Sequence, residues 1–379
     1  MKVSAYRGEI CGERSGVFEK IHGASGVWIG RAQSVGRAKS LVPGEKKPRL
    51  ACPSESIAAT RGEFRIPHTE GRIAPMLDDR LTEQRNPRSS AIDELSPLEL
   101  VDLINGEDRT VAEAVRSQRL AIARAIELVV DALRSGGRLI YVGAGSSGRL
   151  GVLDAAEMPP TFGTDPEMVQ GIIAGGREAL VRSQEGAEDH PEDGAAEIDR
   201  MAIGPKDFVM GIATSGTTPF VHGALACARE RGAHTGFLIC TPPAPELLET
   251  HDVVIAPLVG PEVVTGSTRM KAGTATKMVL NTITTGAMVM TGRVFGNLMV
   301  DLQAGCEKLQ DRGERILMTI LDVDRSRASE LLEAAGGGVK TALVMERRGA
   351  GVAEAERLLE EAGGALARVI GGLVEDPHT

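Results

Sequence analysis

The stretch that most constrains the fold is residues 138–163, with the sequence RLIYVGAGSSGRLGVLDAAEMPPTFG. An aliphatic run opens it, a glycine-rich turn follows at residues 143–148, and helical spacing then continues to Pro159 and Pro160. This order predicts a strand, a loop and a helix. Such a loop at the carboxyl end of a parallel strand offers free backbone N–H groups and a helix N-terminus. It therefore predicts a site for an anion, most simply a phosphate.

The spacing Gly143-x-Gly145-x-x-Gly148 also fits the GxGxxG fingerprint of dinucleotide-binding folds. That fingerprint requires an acidic residue about 20 residues later, at the end of the second strand. Here the second predicted strand, residues 169–174, is followed by Gly-Gly-Arg, and no carboxylate closes it. Ser146 and Ser147 stand in the turn instead and suit direct hydrogen bonding to a compact phosphate monoester. A turn with a purely structural role is the other alternative.

Short apolar runs recur at residues 169–174, 208–213, 235–240 and 253–258, each separated from the next by enough chain for a helix. This alternation predicts an α/β fold: a doubly wound, mainly parallel five-stranded sheet flanked by helices. Two leading helices are expected at residues 96–105 and 111–135. After Asp301 the chain is expected to be wholly helical, at residues 307–321, 326–335, 339–347 and 352–370. These patterns predict a ligand-binding domain over residues 76–305 and a C-terminal helical subdomain over residues 306–379.

Residues 1–75 show no sustained helical or alternating periodicity, and we expect a poorly ordered extension there. A misassigned start, with the native chain beginning at Met76, is one alternative. A basic arm for a partner is another.

The formal net charge of −9 argues against a nucleic-acid partner. The sequence contains no run of 18 apolar residues, so no membrane span is predicted. The five cysteines have no metal-type spacing, and their odd number predicts a reduced, cytoplasmic protein. We expect neither a metal nor another cofactor.

Hydroxyl side chains follow three of the predicted strands. The third strand ends in Ala-Thr-Ser-Gly-Thr-Thr-Pro at residues 213–219, and the fifth leads through residues 259–271 to a long helix ending near Met290. Because the carboxyl ends of parallel strands meet at one edge, we expect these turns to share a ligand. The predicted phosphate site comprises Ser146, Ser147, Ser215 and Thr218, with Ser267, Thr268 and Lys271 facing them.

With these residues identified, the sequence resembles the N-acetylmuramic acid 6-phosphate etherases, bacterial members of the sugar isomerase (SIS) domain group. The resemblance covers roughly residues 81–371. Its most specific motifs are TEQRNPRSSAIDELSPLELVDLINGEDRTV, YVGAGSSGRLGVLDAAEMPPTFG, GIIAGG with EGAED after it, and VGPEVVTGSTRMKAGTATKMVLN followed by GRVFGNLMVDL.

The resemblance implies an SIS-type fold and a carbon–oxygen lyase of cell-wall amino sugar recycling. It would cleave the lactyl ether of its sugar phosphate to N-acetylglucosamine 6-phosphate and D-lactate by β-elimination and hydration. That chemistry needs one acid and one base and no metal.

The resemblance also assigns roles to residues. Glu157, in DAAEMPP, is the implied proton donor, and Glu188, in EGAED, is the second acid/base residue. Which of them takes the C2 proton stays open. Glu262 is a third candidate, because related SIS isomerases use a glutamate just ahead of this helix. The family pattern ASGRTPYV has an arginine where this chain has Thr217, and Met158 replaces the family's usual cysteine.

An unbroken helix from Ser147 would place Glu157 about 15 Å along its axis, too far from a phosphate in the loop. Either Gly151 or the turn interrupts the helix, or the carboxylate comes from another subunit. We prefer a homodimer. Two alternatives remain: a non-catalytic sugar-phosphate-binding regulator resembling the glucokinase regulatory protein, which carries two SIS units, and an SIS isomerase.

Overall fold

A five-stranded parallel sheet forms the centre of the computed structural model, which describes residues 80–304 and 306–372. The strand order is β2-β1-β3-β4-β5, and every neighbouring pair is parallel. The predicted doubly wound α/β class is therefore confirmed. The strands are β1 Leu139–Gly143, β2 Val169–Ile173, β3 Phe208–Ile212, β4 His234–Leu238 and β5 Val253–Ile255.

Helices precede the sheet, connect its strands and follow it. They are α1 Pro97–Asp108, α2 Val111–Ser117, α3 Arg119–Arg134, α4 Gly145–Ala156, α5 Met158–Phe162, α6 Pro191–Arg200, α7 Pro219–Glu230, α8 Pro245–Thr250, α9 Lys271–Met290, α10 Glu307–Leu321, α11 Arg325–Ala334, α12 Val339–Arg348, α13 Val352–Glu361 and α14 Leu366–Ile370.

Two of the expected helices are each divided into two. The predicted helix over residues 111–135 breaks at Gln118, whose side-chain Oε1 accepts a hydrogen bond from the Ala256 N–H beyond β5. The last predicted helix, residues 352–370, breaks between α13 and α14 at Gly363 and Gly364, both of which have positive φ. The first helix is confirmed, and Ser96 and Glu99 form a capping box at its start.

The sheet has apolar residues on both faces because helices cover it from both sides. Leu139 and Tyr141 of β1 pack into the cluster formed with α3 and α9. Ile140 and Val142, which point to the other face, pack with residues of α6 and α7. Because both faces of the sheet are covered, its carboxyl edge is the place where a ligand can reach it.

The chain from α9 onward adds a structure that the sequence did not predict. A two-stranded antiparallel hairpin, β6 Val294–Phe295 and β7 Leu298–Met299, precedes the last helices. The hairpin and α10 to α14 enclose an apolar cluster of their own. The division into domains at residues 305 and 306 stays a prediction, and the expected extension over residues 1–75 lies outside the described residues. Within the described part, no helix is both long and apolar enough to cross a membrane.

Candidate active site

The turn between β1 and α4 is closed by glycine contacts. A Cβ on Gly143 would lie 2.7 Å from the Gly148 backbone nitrogen, so the chain can fold back this tightly only without side chains. Gly145 adopts φ +51°, which also favours glycine. No side chain caps the start of α4. The first N–H groups of this helix are therefore open to an anion.

The turn between β3 and α7 has a similar construction. The Ser215 Oγ lies 3.0 Å from the Thr217 Oγ1 and accepts a hydrogen bond from the Thr217 N–H. The His222 Nε2 lies 2.9 Å from the Gly216 carbonyl oxygen and fixes the turn to α7. Thr218 is the first residue before α7, and no side chain caps that helix either.

These two turns share one cavity of about 520 Å³. They follow β1 and β3, neighbouring strands whose connections leave the sheet in opposite directions, which is where open α/β sheets bind ligands. The structure thus brings together six of the predicted site residues. The cavity is lined by Ser146, Ser147, Glu188, Ser215, Thr218 and Thr268 among others.

Glu188 reaches the cavity because its backbone is fixed at the start of α7. The Glu188 carbonyl accepts a hydrogen bond from the Phe220 N–H at 3.0 Å. Its side chain and that of Asp189 are exposed and line the cavity, whereas Glu185 is exposed but does not line it. Of the three acidic residues in the motif EGAED, Glu188 and Asp189 therefore line the cavity.

In the third predicted turn, between β5 and α9, a carboxylate of the chain itself occupies the start of the helix. Glu262 is fully buried, and its carboxylate accepts hydrogen bonds from the N–H groups of Lys271 and Ala272 at 3.0 and 2.9 Å. Burial raises the pKa of Glu262, although the two N–H bonds act in the opposite direction. The first N–H groups of α9 are thus occupied by the chain's own carboxylate.

Lys271 points away from the cavity. Its ammonium, 2% exposed, lies 2.7 Å from the carboxylate of Glu107, which is 1% exposed and also pairs with Arg88 at 2.6 Å. Neither Lys271 nor Glu262 lines the cavity, and Ser267 does not line it either. The charge of Lys271 is already compensated by Glu107. The roles expected for Lys271 and Ser267 as phosphate ligands, and for Glu262 as a third acid/base candidate, stay predictions.

Glu157 lies at the far end of α4 from the glycine-rich turn. The helix is continuous from Gly145 to Ala156 and passes through Gly151 without a break. Gly151 allows α4 to approach β1 closely, because a Cβ there would lie 2.9 Å from the Tyr141 Cβ. Glu157 is exposed and outside the cavity lining. Of the alternatives that the sequence left open, an interrupted helix is therefore wrong.

One residue near Glu157 is buried and was not anticipated. Asp154, one turn earlier on α4, accepts hydrogen bonds from Tyr141 of β1 at 2.9 Å and from Asn281 of α9 at 2.8 Å. Burial raises the pKa of Asp154, and these donors oppose that rise. This network fixes the end of α4 between the sheet and α9.

Several residues that line the cavity were not predicted from the sequence. Arg80 and Glu83, ahead of α1, line it together with Asp189 and Thr217. No strand ends at residues 80–83, so a search for polar turns that follow strands could not select them. Across the described residues, no cluster of histidine, cysteine, aspartate or glutamate could hold a metal ion.

The chain is similar to one protein-family model and to several known proteins. Residues 121–229 match the glucokinase regulatory protein N-terminal SIS domain. The chain is 56% identical over 295 residues to an N-acetylmuramic acid 6-phosphate etherase of Synechococcus elongatus, covering 77% of this chain and 96% of that protein. A protein of the same name from Rhodopirellula baltica is 50% identical over 294 residues, covering 78% and 97%.

The chain belongs to the N-acetylmuramic acid 6-phosphate etherase family. The resemblance carried by its motifs is thereby confirmed. The match to the regulatory protein is confined to residues 121–229, whereas the etherases are matched over nearly their whole length, so the regulator alternative is not favoured. A solved structure of a phosphoheptose isomerase from Neisseria gonorrhoeae is also similar, with 18% identity, 50% of this chain and 99% of that chain covered, and a TM-score of 0.38.

Proposed function

We propose that this chain cleaves the D-lactyl ether of N-acetylmuramic acid 6-phosphate, giving N-acetylglucosamine 6-phosphate and D-lactate. The observation that carries the proposal is its membership of the etherase family over nearly the full length of its relatives. The cavity at the sheet edge supplies a place for the substrate. A cytoplasmic role in recycling cell-wall amino sugars belongs to the same proposal.

The chemistry starts from the open-chain aldehyde form of the sugar. The proton on C2 lies next to the carbonyl, so a base can remove it while the bond from C3 to the lactyl oxygen breaks. An acid protonates the departing oxygen, and D-lactate leaves behind a C2–C3 double bond. Water then adds a hydroxyl group to C3 and a proton to C2. The sum of the two steps is hydrolysis of the ether, with one general acid and one general base.

In this proposal the two hydroxyl-rich turns hold the phosphate. Ser146 and Ser147 approach it from the start of α4, and Ser215 and Thr218 from the start of α7, where uncapped N–H groups add to the site. Thr268 closes the cavity from the segment before α9. Glu188 lies in the same cavity and is positioned to exchange a proton with the sugar.

We further propose that Glu157 acts in the cavity of a second subunit. Its position at the end of the continuous α4 is about 15 Å along the axis from Ser147, beyond the reach of a sugar bound at that turn. Its side chain is exposed and available to a partner. A two-fold symmetric homodimer would let each chain lend Glu157 to the other.

The direct test is to incubate the purified chain with N-acetylmuramic acid 6-phosphate and measure D-lactate. We expect stoichiometric release of D-lactate with N-acetylglucosamine 6-phosphate. In D₂O, the sugar product should carry deuterium at C2, and in H₂¹⁸O it should carry ¹⁸O at C3. Binding without lactate would favour the regulator instead. If D-lactate is released but the sugar product carries neither label, the elimination mechanism is wrong and the ether is cleaved at the lactyl carbon.

Glu188 has a matched control in its own loop. Glu188→Gln keeps size and hydrogen bonding but removes acid–base capacity, so lactate release should fall about 10²–10⁴-fold while sugar phosphate binding survives. Glu185→Gln, an exposed neighbour outside the cavity, should retain nearly full turnover. Equal losses in both variants would count against Glu188 as the acid/base residue.

A further inference from the structure

We propose that Arg80 binds the substrate phosphate and supplies the positive charge that the cavity otherwise lacks. This inference rests on the proposed function only in taking the ligand to be a sugar phosphate. Arg80 belongs to the segment ahead of α1, not to any of the strand-end turns. It was not among the predicted site residues.

The charge of the cavity favours this role for Arg80. Its described lining contains three carboxylates, those of Glu83, Glu188 and Asp189, and a single cationic side chain, Arg80. A phosphate monoester brings a further charge of about −1.5 to −2 at pH 7. Without a cation at the phosphate, hydroxyls and backbone N–H groups alone would face this repulsion. Arginine suits the task because its guanidinium can form two parallel hydrogen bonds to a phosphate.

The position of the Arg80 guanidinium favours the same role. The Arg80 Nη1 donates a hydrogen bond to the Thr217 Oγ1 at 3.4 Å, and that hydroxyl lies 3.0 Å from the Ser215 Oγ. The guanidinium is therefore beside the β3–α7 turn that we assign to the phosphate. The contact is to residue 217, where the etherase pattern ASGRTPYV has an arginine. Arg80 thus brings a guanidinium to the turn in which Thr217 provides none.

Backbone and side-chain hydrogen bonds hold the segment after Arg80 against the cavity wall. The Thr82 carbonyl accepts a hydrogen bond from the Gly266 N–H at 3.3 Å, and the Asn86 Nδ2 donates to the Pro261 carbonyl at 3.3 Å. These contacts tie residues 82–86 to the loop between β5 and α9.

The test compares binding of two probes by calorimetry: N-acetylglucosamine 6-phosphate and unphosphorylated N-acetylglucosamine. Arg80→Gln should weaken binding of the phosphorylated probe about ten- to a hundredfold, the usual effect of losing a charged hydrogen-bond partner. Binding of the unphosphorylated sugar should not change. Arg116→Gln removes the same charge at an exposed site on α2 and should leave both affinities unchanged.

The decisive variant is the double substitution Arg80→Gln with Thr217→Arg. Since the two side chains are in contact, an arginine at 217 returns a guanidinium to the same turn and should restore most of the lost affinity. A purely structural role for Arg80 would not be rescued in this way. If Arg80→Gln does not fold, Arg80→Lys, which keeps the charge, should still bind the phosphorylated probe more tightly than the unphosphorylated one.

The outcomes separate this proposal from the proposed function. Weakened phosphate binding in Arg80→Gln, with no D-lactate from the wild type, would leave Arg80 as a phosphate ligand and overturn the etherase. Lactate release with unchanged probe affinity in Arg80→Gln would overturn the role of Arg80 alone. A raised KM for the lactyl substrate with normal probe binding would place Arg80 at the lactyl carboxylate and contradict the proposal.

Discussion

The starts of α4 and α7 differ from the start of α9 in a way that decides where a ligand can bind. All three helices follow hydroxyl-rich turns at the carboxyl edge of one sheet. The starts of α4 and α7 have no capping side chain and open into the cavity. At α9 the carboxylate of Glu262 occupies the first N–H groups, and the Lys271 ammonium is paired with Glu107.

The difference shows that a helix N-terminus preceded by hydroxyls is only a potential anion site. It becomes an actual site when the chain provides no anion of its own. At α9 the chain provides two carboxylates, one for the backbone and one for the lysine. The start of α9 is therefore a structural joint between α1, the loop after β5 and α9, whereas the starts of α4 and α7 remain open to a ligand.

The largest expected effect concerns the joint itself. Lys271→Met should lower the free energy of unfolding by about 3–5 kcal/mol, because it leaves the Glu107 carboxylate buried beside a single, exposed arginine. Chemical denaturation would measure this loss. The double variant with Glu107→Gln should be less destabilised than the single one. Lys277→Met, an exposed position on the same helix, is the control. Normal stability with lost phosphate binding would make Lys271 a ligand after all.

A smaller effect should separate the open turns from the closed one. Ser147→Ala and Ser215→Ala should each weaken binding of N-acetylglucosamine 6-phosphate tenfold or more, since a hydrogen bond to a charged group contributes about 1.5–3 kcal/mol. Ser267→Ala, at the closed turn and outside the cavity lining, should change the affinity far less. Calorimetric titration would measure all three. Equal losses in all three variants would remove the distinction between the turns.

The smallest effect is a pH dependence of stability that belongs to the joint. Burial acts to raise the pKa of Glu107, but the hydrogen bonds and charges of its partners, Lys271 first among them, outweigh burial and hold the pKa below its ordinary value. A lowered carboxyl pKa stabilises the fold above the unfolded pKa, about 4.3, and this contribution is lost as the pH falls through the lowered value.

Melting temperatures measured from pH 7 down to pH 3 would check this dependence. Glu107→Gln should be less stable at pH 7 but should lose less stability on acidification than the wild type. Glu113→Gln, at an exposed site, should follow the wild-type curve. Parallel curves for the wild type and Glu107→Gln would mean that Glu107 does not stabilise the fold through its charge.

Much of this fold could be predicted because its signals are local. The five strands are short apolar runs separated by chain long enough for a helix, and the tight turn at residues 143–148 needs its glycines. The breaks at Gln118 and at residues 363–364 were missed for different reasons. Gln118 is fixed by a hydrogen bond to Ala256, 138 residues away, which no window along the sequence can detect. The glycine pair at 363–364 is a local signal for a helix break, but the helical periodicity on both sides of it favoured one continuous helix.

The site was predictable in part for the same reason. Ser147 and Ser215 follow strands whose carboxyl ends meet, so topology alone brings them together. The pairing of Lys271 with Glu107 could not be predicted, because the two residues are 164 positions apart in the chain. Arg80 could not be selected because it lies ahead of α1, where no strand of the described residues ends. In each case the missing information was a long-range contact between charged or polar groups.

The measurement that tests the central claim most directly is complementation between two inactive variants. Glu157→Gln and Glu188→Gln each disable one catalytic carboxylate, and we propose that every cavity takes its two catalytic carboxylates from different subunits. After unfolding and refolding together, half of the dimers should be mixed, and one of the two cavities in each should carry both native carboxylates. D-lactate release should then recover to about a quarter of the wild-type rate. No recovery, with mixed dimers demonstrated, would place both carboxylates in one chain and contradict the account.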